Sequence, residues 1–188
     1  MLKKNFRRLL PVFMAFGLFF TILSCKDKEI DAEEENEIIT TIKLNFTANG
    51  TTQTFLFTDP DGDGGNAPTK FENISLKTNT TYTLTIELLD ESKTPSENIT
   101  QEVATESDEH LFVYTPTPAS LLTYTYGDKD ARNFPIGLTG SVKTGAVGSG
   151  KLKVQLRHQP PINGKDVKDG TSTPGSDDVN LDFNIAIQ

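Results

Sequence analysis

Tryptophan is absent from this 188-residue chain, cysteine occurs once, and methionine and histidine occur twice each. A single cysteine cannot close an internal disulfide, so the small cross-linked scaffolds are excluded. Basic residues are also scarce. Eighteen Lys and Arg stand against 26 Asp and Glu, a net charge of −8, which repels phosphate backbones and excludes nucleic acid as a partner. The catalytic signatures legible in a sequence are missing too: there is no GxSxG elbow, no HExxH pair and no glycine-rich loop opening a helix, so a protein without enzymatic activity is expected. What the chain does have is 35% apolar residues, enough for the core of one ordinary domain, and 25 threonines, 14 glycines and 10 prolines. That composition favours strands and turns over a helical bundle.

The basic residues are bunched at the start. Lys3, Lys4, Arg7 and Arg8 precede an uncharged apolar run, Leu9 to Leu23, that carries Phe13, Phe16, Phe19 and Phe20. This is the layout of a secretory signal peptide, and the run is shorter than the ~20 residues that span a bilayer. It ends in Ile22-Leu23-Ser24-Cys25, which resembles the lipobox of bacterial lipoproteins. The resemblance implies cleavage before Cys25, a diacylglyceryl group on its thiol and acylation of the new N-terminus. An uncleaved membrane anchor with an incidental cysteine is the alternative. Residues 1–24 are thus read as a signal peptide, and acyl chains at ~0.8 kcal/mol per buried methylene would hold the remainder on a membrane without a spanning helix.

Loss of residues 1–24 leaves 14 basic against 26 acidic side chains, or −12. Residues 25–39 comprise the lipidated cysteine and KDKEIDAEEENEII, whose seven acidic and two basic residues read as a solvated tether. Its opening, Lys26-Asp27-Lys28-Glu29, resembles the lysine-and-acid export signal of surface-exposed lipoproteins in the Bacteroidota, with Lys28 interrupting the acidic run. A plain spacer would instead leave the protein facing the periplasm.

From Thr40 to Gln188 apolar and polar residues alternate with period two, the mark of half-buried strands. The clearest runs are Ile42, Leu44, Phe46; Tyr82, Leu84, Ile86, Leu88; Leu152, Val154, Leu156; and Val179, Leu181, Phe183, Ile185, Ile187. Further strands are expected over 52–58, 71–77, 111–115, 121–126 and 136–143, separated by turn clusters at 49–50, 59–66, 77–79 and 160–161. About nine short strands argue for an all-β fold, an antiparallel immunoglobulin-like β-sandwich occupying residues 40–188. One helical interruption is expected within 96–107, where Ile99 and Val103 lie four apart, and a long surface loop over 163–177.

Three features could carry chemistry. Gly145-Ala-Val-Gly-Ser-Gly150-Lys151 has the spacing of a phosphate-binding loop, but Leu152 stands where Ser or Thr should hold magnesium, and residues 151–157 alternate as a strand where a helix should begin. A flexible hairpin loop is expected instead. Asp59-Pro-Asp61-Gly-Asp63-Gly64 has the DxDxDG start of calcium loops, whose alternate carboxylates surround a cation that takes six to eight oxygens. The twelfth position is Lys70, so this is no EF-hand. Glu72 or Asn66 would have to complete the shell, and a solvated turn is the competing reading. Third, His158 shares the inward face of Leu152, Val154 and Leu156, and His110 lies in Glu106-Ser-Asp-Glu-His110. If their strands meet, the two imidazoles and a carboxylate such as Glu109 could hold zinc or copper. Otherwise His158 is hydrogen-bonded at the core rim and His110 lies in a solvated acidic segment. A glycan-binding surface would have to rely on tyrosines, Tyr124 and Tyr126 foremost.

Taken together, the lipobox, the EEENEIITT tether and the DPDGDGGNAP loop resemble the small β-sandwich outer-membrane lipoproteins of flavobacteria and other Bacteroidota. Some such chains carry the label of a type 1 periplasmic-binding fold, which needs alternating strands and long helices in a chain about twice this size and so does not suit this pattern. The resemblance implies an outer-membrane, lipid-anchored and cell-surface protein. It would act as a ligand-binding or accessory module, docked to a TonB-dependent transporter, that helps capture a nutrient or metal. No ligand residue carries over from it.

Overall fold

The structure, a computed structural model, describes residues 37–62 and 65–188. Cys25, the signal segment, most of the tether and Asp63 lie outside the described residues. No helix among the described residues is long and apolar enough to cross a membrane.

Among the described residues the chain forms eleven strands, most of them from the period-two runs, and one short helix. In chain order they are β1 (Thr41–Ala48), β2 (Thr51–Thr58), β3 (Lys70–Phe71), β4 (Ile74–Leu76), β5 (Thr81–Asp90), β6 (Glu97–Asn98), α1 (Ile99–Thr105), β7 (His110–Thr117), β8 (Leu122–Tyr126), β9 (Thr139–Thr144), β10 (Gly148–His158) and β11 (Ser176–Ile187). One sheet has the order β3-β2-β1-β5-β9-β8 with β6 added beside β5, and the other has the order β4-β11-β10-β7. All pairings are antiparallel except that of β4 with β11.

The two sheets bury one apolar layer. Ile42, Leu44 and Phe46 of β1 and Tyr82, Leu84, Ile86 and Leu88 of β5 share a core with Leu152, Val154 and Leu156 of β10 and with Phe183, Ile185 and Ile187 of β11. The outer face of the larger sheet is hydroxylic. Thr52, Thr47, Thr83, Ser141 and Thr125 stand in register across five adjacent strands, where short β-branched side chains suit a solvated pleat.

The helix forms where the apolar spacing changes from two to four. Ile99 and Val103 are both buried, and at seven residues α1 depends on that packing rather than on its own propensity. Thr100 substitutes for a strand at this point: its hydroxyl accepts the Leu88 amide at 2.7 Å and donates to the Leu88 carbonyl at 3.3 Å.

Four expectations are corrected. The run 71–77 is not one strand but two, because the chain leaves the first sheet at Phe71 and joins the second at Ile74. Residues 145–147 form no hairpin; they carry the chain from β9 in one sheet to β10 in the other. Strand β9 also begins later than Ile136, because the carbonyl of Ile136 accepts the Phe112 amide while that of Leu138 accepts the Ile86 amide, so this stretch serves both sheets. The sandwich likewise begins before Thr40. Ile39 and Thr40 are buried, and the Thr40 hydroxyl donates to Leu89 O and accepts the Glu91 amide at 2.7 Å.

Candidate metal centre

The two histidines, 48 residues apart in sequence, are direct cross-strand partners on β7 and β10. Their rings lie nearly parallel, 7° apart with centroids at 4.8 Å. His110 is not in a solvated segment: its side chain is 1% exposed, against 13% for His158. Its Nδ1 lies 3.1 Å from the carbonyl of Glu106. A carbonyl oxygen only accepts, so the proton of the neutral ring sits on Nδ1 and the lone pair of Nε2 is left available. Burial, the largest effect, pushes the His110 pKa down to about 4, and the ring is therefore neutral near pH 7.

That Nε2 faces a third element. Asp178 Oδ2 lies 3.8 Å from it, and Asp178 Oδ1 lies 4.0 Å from Nδ1 of His158. A bulge places the carboxylate here. Opposite the Leu156–Arg157 step the register of β11 shifts, Val179 pairing with Leu156 but Asp177 with Arg157, so Asp178 is the extra residue. Strict alternation with buried Val179 would turn Asp178 outward, whereas the bulge leaves its side chain 1% exposed.

One donor atom each from His110, His158 and Asp178 lies within 4.8 Å of the others, and a second grouping of the same tightness joins His110 to Glu37 and Glu106. Separations of 3.8 and 4.0 Å are too long for direct hydrogen bonds. They are about 0.5–0.7 Å wider than the ~3.3 Å between donors around a tetrahedral zinc with bonds of ~2.0–2.1 Å. One adjustment is required, because an ion lies in the plane of each imidazole that binds it and two stacked rings share no such plane. His158, the more exposed ring at the end of β10, is the one placed to turn.

Carboxylates crowd this end of the sandwich. The pKa of Glu37 is pushed up to about 8, first by burial and then by the charges of Glu102, Asp178, Glu106 and Glu97. Burial, followed by Asp108 and Glu106, raises that of Glu109, whose Oε2 lies 3.7 Å from His158 Nε2. A recess of about 180 Å³ between β1, β2 and β11 has Asp178 in its wall. That is smaller than the ~300–1,000 Å³ of organic-ligand pockets and ample for an ion.

Residues that sequence reasoning did not single out hold the approach to His110. Lys168 Nζ lies 3.0 Å from Asp130 Oδ2, with both side chains 0% exposed, and it donates to Ser107 O at 2.6 Å. Arg132 donates to Asp108 O, and the Gln159 amide donates to Glu109 O at 2.6 Å. Turn 107–109 is thus tied residue by residue to the loops around it. Lys168 lies in the expected surface loop and is buried, and no local pattern marks it. Gly175 closes the shell with φ +77°; a Cβ there would meet His158 O at 1.8 Å, so only glycine fits.

Of the other candidate residues, Asp59 lines the same recess as Asp178, and the rest are placed elsewhere. Asp59 is buried, and its carbonyl accepts the Gly62 amide. Asp61 is exposed and accepts the Asn66 side-chain amide at 2.5 Å; hydrogen bonds from Asn66 and then Asp59 hold it below the usual carboxylate range. Glu72 faces away from this pair of contacts: its Oε2 accepts the Leu56 amide at 2.9 Å where β3 ends, and its Oε1 meets Lys70 Nζ at 3.1 Å. Among the described residues Asp59, Asp61 and Glu72 form no grouping of the tightness seen at His110. Tyr124 and Tyr126 offer no open platform. Tyr124 packs on Tyr114 and Tyr126 at 4.3 and 5.0 Å, and the two hydroxyls donate to Thr139 O and Phe112 O.

No family model, curated protein or solved structure matches the chain.

Proposed function

We propose that this chain is a lipid-anchored, non-enzymatic module of the cell envelope whose β-sandwich binds a divalent transition metal, zinc or copper, at His110, His158 and Asp178. The observation that carries the reading is the convergence of two imidazoles and a bulge-delivered carboxylate from three adjacent strands. Mixed nitrogen and oxygen donors without a thiolate suit zinc or copper(II) rather than copper(I). The proton of His110 directed at a backbone carbonyl is the outer-shell arrangement that orients metal-binding imidazoles. The anchor rests on Ser24-Cys25 and the run before it, and a role beside a TonB-dependent transporter at the outer surface accords with a metal-capturing module.

The test is metal content and affinity of the full chain, purified without a histidine tag and with Cys25→Ser to remove its one thiol. One equivalent of zinc or copper is expected, falling to none in His110→Ala/His158→Ala. A wild-type protein that binds neither ion, or a double variant that binds equally, rejects the reading. Copurification of a transporter barrel with the anchored protein would support the accessory role.

A further inference from the structure

We propose that Glu37, the last carboxylate of the acidic N-terminal run, is the fourth donor of this centre, so that uptake of the ion fastens residues 37–40 to the sandwich. The inference rests on the metal-binding reading above and adds a partner for it, the chain's own N-terminal segment.

Three observations support it. A carboxylate oxygen of Glu37 lies within 4.8 Å of donor atoms of Glu106 and His110, so His110 is common to both groupings. Glu37 Oε2 is buried and has no hydrogen-bond partner among the described residues, an unfavourable placement when nothing compensates it. Burial of Ile39 and Thr40 and the bonds of Thr40 to Leu89 and Glu91 bring Glu37 to this place, and an ion held by Glu37 adds to that hold. Finally, the charges facing Glu37 are almost all negative. Glu97, Glu102, Glu106 and Asp178 repel it, and Lys93, which lines a surface recess together with Glu37, is occupied by Asp90 and Glu97. A dication turns that repulsion into attraction.

The donor count also matters. Two neutral imidazoles and one carboxylate leave a tetrahedral ion with an open position, the hallmark of catalytic zinc, whereas a fourth protein donor closes the shell as in structural sites. A closed shell fits a module that holds an ion and fastens a segment without turning over a substrate. Glu106 is the rival for the fourth place. Its side chain belongs to the same grouping but is exposed, and its backbone carbonyl already serves His110.

The experiment uses the full chain with Cys25→Ser in detergent, untagged, titrated with zinc against a competing chelator and with cobalt(II) as a spectroscopic substitute. Amide hydrogen exchange of residues 37–41 is followed with and without zinc. Wild type should show the intense visible bands of four-coordinate cobalt and zinc-dependent slowing of exchange at 37–41. Glu37→Gln should bind zinc roughly 10–100-fold more weakly, shift the cobalt bands as a water takes the fourth position, and show no zinc-dependent slowing. Glu106→Gln should resemble wild type. Exchange in β1 reports that each variant is folded, and Glu37→Asp, which shortens the reach by one methylene, should fall between wild type and Glu37→Gln. Equal affinity and equal slowing in Glu37→Gln overturn this inference and leave the metal site standing, as does a loss confined to Glu106→Gln. Absence of zinc binding in the wild type removes both.

Discussion

His110 is a buried base that the fold keeps neutral, and that has a measurable consequence for stability. Its pKa falls to about 4 in the folded chain, against ~6.5 for a free imidazole. Between those values the unfolded chain binds a proton that the folded chain does not. Stability is therefore full above pH 6.5 and drains away as pH falls towards 4, by about 3 kcal/mol in all. Glu37 acts in the opposite sense: its pKa is raised to about 8, so its contribution is present below pH ~4.5 and is lost as pH rises through 8. Urea unfolding of the chelator-treated protein at several pH values should thus show an acid-side loss that is smaller in His110→Gln and a base-side loss that is smaller in Glu37→Gln. Zinc should also unstack the imidazoles, shifting the ring-proton resonances of both histidines in a titration followed by nuclear magnetic resonance. Lys168 makes a different prediction. Burial raises the cost of charge on Asp130, but Lys168 and the amides of Phe134 and Arg132 hold its pKa below the usual range. Lys168→Met leaves that buried charge unpaired and should cost about 3–5 kcal/mol, much of it recovered in Lys168→Met/Asp130→Leu.

At the scale of elements, the bulge in β11 decides where a carboxylate points. Deleting Asp177 would restore a regular register, placing Asp178 opposite Arg157 and turning it to solvent. Zinc affinity should fall at least tenfold while the midpoint of thermal unfolding changes little, and calorimetric titration checks the first. Most strand positions were legible from alternation, because inward and outward residues separate cleanly on a one-sided sheet, and the helical turn from the four-residue spacing of Ile99 and Val103. The bulge was not, since Asp177-Asp178 before an alternating run reads as two solvated residues. Nor was the break at Glu72-Asn73, where one side chain takes the place of a ladder partner for Leu56. The histidines could be singled out, but not their meeting: β7 and β10 are brought together by sheet order, a non-local property. Glu72 or Asn66 was expected to complete a calcium shell because both are close in sequence to the aspartates; Glu72 instead accepts the Leu56 amide and pairs with Lys70. Calcium binding at residues 59–65 is checked by thermal unfolding with chelator and then with added calcium: a rise in midpoint that Asp61→Ala abolishes is the expected sign.

For the whole molecule, the proposed anchor at Cys25 would set where the proposed site works. Fatty acid fed to cells should label the wild-type protein and not Cys25→Ala, and the processed chain should begin at residue 25. The larger sheet also has a feature that concerns force. Strand β1 is the first to follow the N-terminal segment, yet it lies inside the sheet, paired along its length with β2 on one side and β5 on the other. A pull on residues 37–40 therefore does not peel an edge. To extract β1 it must rupture two ladders together and drag Ile42, Leu44 and Phe46 out of the core, whereas an edge strand could be unzipped one pair at a time. A domain held by its N-terminus in flowing fluid, or tugged by a bound partner, would take the load where its sheet is strongest.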